Sequence, residues 1–219
     1  MYIIATTPSI YMFLHLLPRH YFKKDRHFYI CSFGGCGSWI IAQYLSNFGQ
    51  VHHIHSRKPP APYVTTVELE HFTSIPHAEQ RPQHHYVLYV YRDPVAALQS
   101  VQRRFALNDH FRMIECSDTS VTLEDIADSQ QDLIGLAEFD ANYTRPSLTR
   151  KYPIYCVKYE LFFSHLPEFN KALGLVDFPK LYPVKKENAE APVQTSKALE
   201  RVYAPLREAM HQRPFVFIS

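Results

Sequence analysis

Three of the chain's six glycines stand within four residues, at Gly34, Gly35 and Gly37. An apolar run over 28–31 precedes them, and Ser38 followed by a helical pattern comes after. Glycine permits positive φ and exposes backbone N–H groups, while a helix start adds unpaired donors and the positive dipole end. A strand, a glycine-rich turn ending in a hydroxyl residue, and a helix together predict an anion-binding loop. A tight turn without a ligand is the alternative.

Two common phosphate loops do not fit these residues. A Walker A loop ends in Gly-Lys-Ser/Thr, but here Gly37 precedes Ser38 directly and the next lysine is Lys58. A dinucleotide fingerprint needs Gly-x-Gly-x-x-Gly, but Ile40 stands where its third glycine would be. These departures argue against an ATPase and against a dinucleotide enzyme.

A second candidate anion site follows the β-branched and aromatic run over 85–91. Arg92 comes next, where the carboxyl end of a parallel strand would bind ligands in an open α/β sheet. Its planar guanidinium suits a bidentate phosphate contact, and Ser100 lies two helical turns further on. The alternative is that Arg92 pairs with Asp93 or caps a nearby loop.

Strand and helix patterns alternate along the chain, which predicts an α/β fold with a central parallel sheet covered on both faces. Asp93-Pro94 opens one of the helices. The predicted strands cover 28–33, 50–54, 85–91 and 153–159, and the predicted helices cover 39–48, 95–105, 123–142, 166–173 and 199–211. Short structure is also expected at 64–72.

Length and composition predict one domain over 1–219, with residues 1–26 as an N-terminal extension. An apolar content of 46% and a net charge of +2 are typical of a globular protein and do not favour nucleic acid binding.

Four cysteines without a Cys-x-x-Cys pair favour a reducing compartment. The apolar segment 2–17 contains Pro8 and His15, which favours a packed segment over a membrane anchor. We therefore expect a cytoplasmic protein, with a Golgi or membrane-associated one as the alternative.

Three segments in the same order resemble sulfotransferases that use 3′-phosphoadenosine 5′-phosphosulfate (PAPS). They are Gly35-Cys36-Gly37-Ser38, then Arg92-Asp93-Pro94 with Ser100, then Val157-Lys158-Tyr159-Glu160. The resemblance implies a three-layer sandwich with a P-loop-NTPase-like sulfotransferase fold. It also implies transfer of a sulfuryl group to a hydroxyl or amine, with adenosine 3′,5′-bisphosphate (PAP) as product and no metal.

The resemblance also assigns roles to residues of this chain. The 5′-phosphosulfate would contact the loop residues Gly34, Gly35, Cys36, Gly37, Ser38 and Trp39. Arg92 and Ser100 would hold the 3′-phosphate, Tyr159 would contact the adenine, and Lys185 and Lys186 would lie in a loop that closes over the nucleotide. The acceptor is expected to be a small molecule or a carbohydrate, with 108–122 forming part of its pocket.

The chain departs from the family in one respect, because Gly34 or Gly35 replaces the usual loop lysine or arginine. Arg57, Lys58, Lys185 and Lys186 are candidate replacements. Catalysis also needs a general base, and neutral histidine titrates near working pH. Alternation along the second strand places His53 and His55 on one face and His52 on the other, and we expect His55 to be the base, with Ser38 and Lys58 assisting. A non-catalytic PAPS-binding protein and, less well supported, a small-molecule kinase remain alternatives.

Overall fold

The computed structural model describes residues 26–60, 85–104, 107–150, 152–177, 179, 182–183 and 197–219. Their strands are β1 (His27–Cys31), β2 (Gln50–Ile54), β3 (His85–Tyr91), β4 (Ile154–Lys158) and β5 (Val216–Ile218). The helices are α1 (Ser38–Leu45), α2 (Pro94–Arg104), α3 (Leu107–Met113), α4 (Leu123–Ser129), α5 (Leu136–Thr144), α6 (Leu166–Ala172), α7 (Lys197–Val202) and α8 (Ala204–Gln212). A 3₁₀ helix, Tyr159–Ser164, follows β4 directly.

These strands form one five-stranded sheet in the order β2-β1-β3-β4-β5. The first four are parallel, and β5 pairs antiparallel with β4. The register places Phe28 beside Val51, and Ile30 beside Leu88. Because β1, β2 and β3 run in parallel, their carboxyl ends meet at one edge of the sheet, where the residues predicted to bind an anion follow β1 and β3.

Both faces of the central strands are buried. Phe28, Tyr29, Ile30 and Cys31 are all fully buried although successive strand residues point to opposite faces. Val87–Tyr91 of β3 is buried in the same way. This is the burial expected of a parallel sheet with layers on both sides, so the α/β prediction is confirmed and the arrangement is compatible with a three-layer sandwich.

The predicted helix over 123–142 is wrong, because the chain forms two helices there. Thr122 and Asp125 form a capping box that begins α4, and Gln130 ends it with a left-handed φ of 56°. The Asp132 carboxylate then accepts hydrogen bonds from the N–H groups of Leu136 and Ala137, at 3.0 and 2.8 Å. The second helix begins after Gly135, which has a left-handed φ of 63°, and Asp132 satisfies its first two N–H groups from outside the helix.

Two other expectations at the C-terminus also need correction. The predicted helix over 199–211 is broken at Tyr203, because Pro205 lacks an N–H group and is tolerated only in the first turn of α8. Strand β5 was not predicted, since its three residues are too short for a periodic signal. The short structure expected at 64–72 and most of the N-terminal extension lie outside the described residues.

Candidate functional site

The loop between β1 and α1 turns on left-handed glycines. Gly34, Gly35 and Gly37 have φ values of 116°, 65° and 69°, which side chains other than glycine adopt only with strain. Gly37 is the residue immediately before α1, and no side chain caps the helix. The loop therefore brings its own backbone, instead of a capping side chain, to the start of the helix.

Several backbone N–H groups of this loop have no described hydrogen-bond acceptor within the protein. Within the ranges that the structure describes, the N–H groups of residues 35–39 donate no hydrogen bond to a protein acceptor, and the first bonded one is that of Ile40, 3.0 Å from the Gly37 carbonyl oxygen. Unpaired N–H groups in a left-handed turn at a helix N-terminus form a concave positive site. This geometry matches the anion loop that the sequence predicts.

Two aromatic rings hold the loop from its sides. A Cβ added to Gly34 would lie 2.2 Å from Cε1 of His110, and one added to Gly37 would lie 2.0 Å from Cε2 of Tyr159. The Nε2 atom of His110 also donates to the Phe33 carbonyl oxygen, at 2.7 Å. The glycines are thus required by contacts within the protein as well as by their φ values.

Arg92 lies against the loop, at the carboxyl end of β3. Its Nη1 donates to the Gly35 carbonyl oxygen at 3.2 Å, and its guanidinium lies 5.6 Å from the centre of the Tyr159 ring. The Glu160 carboxylate lies 3.9 Å from its Nε. The Asp93 alternative does not apply, because the Asp93 carboxylate accepts from Arg207 at 2.6 Å. Arg92 therefore joins the glycine loop to Tyr159.

Ser100 lies in α2 and is 2% exposed. Its hydroxyl oxygen accepts a hydrogen bond from Nη2 of Arg104, one helical turn further along. The sequence analysis did not single out Arg104, although the i, i+4 spacing from Ser100 was a signal that could have found it. The structure thus adds a second guanidinium to this side of the loop.

On the other side of the loop, Ser38 contacts a histidine. Its hydroxyl oxygen lies 2.8 Å from Nε2 of His53 and 3.0 Å from the donating hydroxyl of Ser32. Burial, and then the neighbouring His55, lower the pKa of His53 to about 4. The imidazole is therefore neutral near pH 7, and its Nε2 can accept the proton of Ser38 when Nδ1 carries the ring hydrogen.

His55 has a different partner. Its Nδ1 lies 3.0 Å from the Ser32 carbonyl oxygen, so that atom carries the hydrogen and donates. The ring centre is 4.5 Å from that of His53 and 6.0 Å from that of His110. Burial lowers the pKa of His55, and it lowers that of His110 to about 4. Three neutral imidazoles therefore line this side of the loop.

The strand alternation predicted for β2 is confirmed. His53 and His55 have their rings in contact, whereas the His52 ring stacks on Tyr29 with the ring centres 4.8 Å apart. Trp39 is 61% exposed, and its ring centre lies 6.2 Å from that of His53. An exposed aromatic surface therefore adjoins the Ser38–His53 contact.

Of the candidate replacement cations, Arg57 and Lys58 are described, and neither has a described contact with the loop. Arg57 is 11% exposed, forms an ion pair with Glu138, and donates to the carbonyl oxygens of Ile134 and Gly135 at 2.7 and 3.0 Å. Lys58 is exposed, and among the described contacts none joins its side chain to the loop. Arg57 is therefore engaged elsewhere, while Lys185 and Lys186 lie outside the described residues.

Cys36 is not a nucleophile in this loop. It is 3% exposed, and burial raises the pKa of its thiol to about 12. Its sulfur lies 3.0 Å from the Gly34 carbonyl oxygen, to which the thiol donates. All four cysteines lie in the described ranges and none forms a disulfide. Cys36 therefore fills space within the loop.

A cavity of about 650 Å³ is lined by Arg92 and by residues that follow β3 and β4, but by none of the loop glycines. Among its lining residues, Arg207 pairs with Asp93, and Arg213 pairs with Asp140 at 2.7 Å. Lys158 donates to the His211 and Arg213 carbonyl oxygens. The cations that line this cavity therefore already have protein partners, and none of the loop N–H groups lines it.

Comparison with protein-family models, with curated proteins and with solved structures gave no match. In the described ranges, no cluster of three or more histidine, cysteine or carboxylate side chains has the arrangement of a metal site. No helix among the described residues is both long enough and apolar enough to cross a membrane.

Replacement of Gly37 tests how tightly Tyr159 holds the loop. Gly37→Ala should lower the free energy of unfolding by at least about 2 kcal/mol, since the new Cβ has a left-handed φ and overlaps the Tyr159 ring. Gly174→Ala is the matched control, with a φ of 59° but no atom within 4 Å of its Cβ, and should cost only about 1 kcal/mol. Urea unfolding measures both, and equal losses would contradict the Tyr159 contact.

The buried imidazoles predict a pH dependence of stability. His53 has a pKa of about 4 in the folded chain against 6.5 as its ordinary value. The unfolded chain thus binds more protons over this interval, and the free energy of unfolding should fall as pH drops from about 6.5 towards about 4. His53→Gln should flatten this fall in urea unfolding at about pH 7, 6 and 5. A slope unchanged from wild type would show that His53 does not titrate in this way.

Proposed function

We propose that this chain is a PAPS-dependent sulfotransferase with the P-loop-NTPase-like, three-layer fold of that family. It would transfer the sulfuryl group of PAPS to a hydroxyl or amine of a small-molecule or carbohydrate acceptor, and release PAP. The observation that carries the proposal is the meeting of two anion-binding elements, since Arg92 donates to Gly35 of a loop whose next N–H groups have no described protein acceptor. The donor carries anionic groups on the 3′ and 5′ positions of its ribose and needs two such elements.

The residues present fit this donor. The N–H groups of residues 35–39 and the Ser38 hydroxyl suit the 5′-phosphosulfate, and Arg92 with Ser100 suits the 3′-phosphate. Tyr159 lies between Arg92 and Gly37, where its ring can contact a nucleobase. When bound, PAPS would supply an activated sulfuryl group whose departure leaves negative charge on the 5′-phosphate.

Because the loop has no lysine, another group has to stabilise the negative charge on the leaving oxygen. Sulfuryl transfer, like phosphoryl transfer, depends on positioning and on stabilising the charge that develops on the leaving oxygen. Here unpaired N–H groups at the start of α1 would do this, as backbone donors do in an oxyanion hole. If they are insufficient, the chain is a PAPS-binding protein without turnover, which is the second candidate function.

We assign the general base to His53 in preference to His55, which the sequence analysis favoured. His53 is the imidazole that contacts Ser38, at 2.8 Å, and it adjoins the exposed Trp39. His55 donates from Nδ1 to the Ser32 carbonyl oxygen, which leaves Nε2 as its basic atom, but no described hydrogen bond joins that atom to Ser38. A pKa of about 4 makes His53 a weak base, but an anionic ligand beside it would favour the protonated ring and raise that pKa.

Calorimetric titration with PAP tests the proposal directly, with ATP–Mg²⁺ and AMP as controls. We expect a preference for PAP. Arg92→Ala should weaken PAP binding by about 1.5–3 kcal/mol, as expected for loss of a charge-assisted hydrogen bond, and should spare adenosine 5′-phosphosulfate, which has no 3′-phosphate. Arg112→Ala is the matched control, because Arg112 is exposed and pairs with Asp109. Preference for ATP, or equal weakening of both ligands, would contradict the assignment.

Turnover distinguishes the two histidines. His53→Gln should slow release of PAP from PAPS, measured against a panel of phenols and sugars, by about 100-fold, because proton transfer to a positioned base contributes that much or more. PAP affinity should change little. His55→Gln should have the smaller effect, and a larger loss in His55→Gln would make His55 the base. PAP binding without any wild-type turnover would favour the non-catalytic alternative.

A further inference from the structure

Arg104 carries a feature that the proposed function does not use. It is the last residue of α2, and its Nη2 donates to the Ser100 hydroxyl oxygen. A serine hydroxyl can accept hydrogen bonds and still donate its one proton. The bond from Arg104 uses an acceptor position of Ser100, so the hydroxyl proton remains available to a ligand oxygen.

Two guanidinium groups act on one aromatic ring here. Burial raises the pKa of Tyr159, and the positive charges of Arg92 and then of Arg104 oppose that rise. The Arg92 guanidinium lies 5.6 Å from the ring centre. Both cations therefore lie within electrostatic reach of the Tyr159 phenol, whose ring also lies against Gly37 of the loop.

The positive charges of Arg92 and Arg104 are only partly neutralised by nearby carboxylates. Glu160 lies 3.9 Å from Arg92, and among the described residues no carboxylate lies within 4.0 Å of the Arg104 guanidinium. Two guanidinium groups that act on Tyr159 thus have one described carboxylate partner between them, Glu160 beside Arg92. A phosphate monoester carries about −1.5 to −2 at neutral pH, whereas a phosphodiester or a sulfate ester carries about −1. The site therefore matches a terminal phosphate better than a singly charged group.

We infer that Arg104 is a specificity-determining residue that holds the terminal 3′-phosphate of the nucleotide together with Arg92 and Ser100. This inference rests on the proposed function. Without Arg104, a dianionic phosphate would face one guanidinium that already has Glu160 beside it. With Arg104, the site selects nucleotides that carry a 3′-phosphate monoester over those that do not.

A structural role for Arg104 makes a different prediction. Arg103 and Arg104 end α2, where cations stabilise the helix through its dipole. Such a role affects the stability of the chain and does not discriminate between two isomers of the same nucleotide. Isomers that differ only in phosphate position therefore separate the two roles.

The test is calorimetric titration of the full chain with adenosine 3′-monophosphate and adenosine 5′-monophosphate. Arg104→Gln should weaken binding of the 3′ isomer by about 10-fold or more and that of the 5′ isomer by less than about 2-fold. Arg104→Lys keeps the charge but loses the planar fork and should fall between wild type and Arg104→Gln. Arg145→Gln, which removes an exposed charge just after α5, should change neither affinity.

The pH dependence supplies a second readout. Wild-type affinity for the 3′ isomer should rise from about pH 5 to about pH 7, because the second phosphate proton leaves near pH 6. The rise should be smaller in Arg104→Gln. Equal losses for both isomers, or none for either, would overturn the role of Arg104 and leave the proposed function standing.

Failure of the proposed function gives a different pattern. A wild-type chain that binds neither PAP nor the 3′ isomer would overturn both the proposed function and this inference. Thermal unfolding of each variant identifies a loss of fold, and if Arg104→Gln is unfolded the comparison of Arg104→Lys with wild type decides. Unchanged discrimination between the isomers in Arg104→Lys would then count against the inference.

Discussion

The backbone between β1 and α1 has to reverse within six residues, and it does so on glycines that the surrounding side chains leave no room to replace. Gly37 has a φ of 69° and lies under the Tyr159 ring, while Gly34 has a φ of 116° and lies under the His110 ring. Because both rings come from elements far along the chain, the loop conformation depends on β3, β4 and α3 being packed. The geometry of the loop is a property of the assembled sheet.

This loop separates two environments of opposite character. On the β3 side lie Arg92 and Arg104, whose charges are only partly matched by Glu160. On the β2 side lie three imidazoles that burial keeps neutral, with His53 in contact with Ser38. Cations that hold an anion are thus kept apart from groups that can accept a proton. Such a separation suits the proposed reaction, in which the charged donor and the nucleophilic acceptor approach the loop from different directions.

Local sequence patterns predicted some secondary-structure elements correctly and others wrongly. The bounds of β2 and β3 match the predicted ones, because a run of β-branched and aromatic residues between polar turns is a strong local signal. One helix was predicted over 123–142, but the chain forms two. The break depends on the Asp132 carboxylate accepting hydrogen bonds from Leu136 and Ala137, and the sequence pattern does not show which way that carboxylate turns. Arg57, a plausible cation by its position after β2, instead donates to carbonyl oxygens of the segment before α5.

The sequence by itself determined the parallel α/β sheet, the glycine turn and the arginine at the end of β3. These follow from hydrophobic periodicity and from the unique φ range of glycine, which are local properties. Only the tertiary structure decided that His53, and not His55, contacts Ser38, that His110 closes over Gly34, and that Arg104 donates to Ser100. Such contacts join residues distant in sequence or depend on which way a side chain turns, and the packing of the strands and helices sets both.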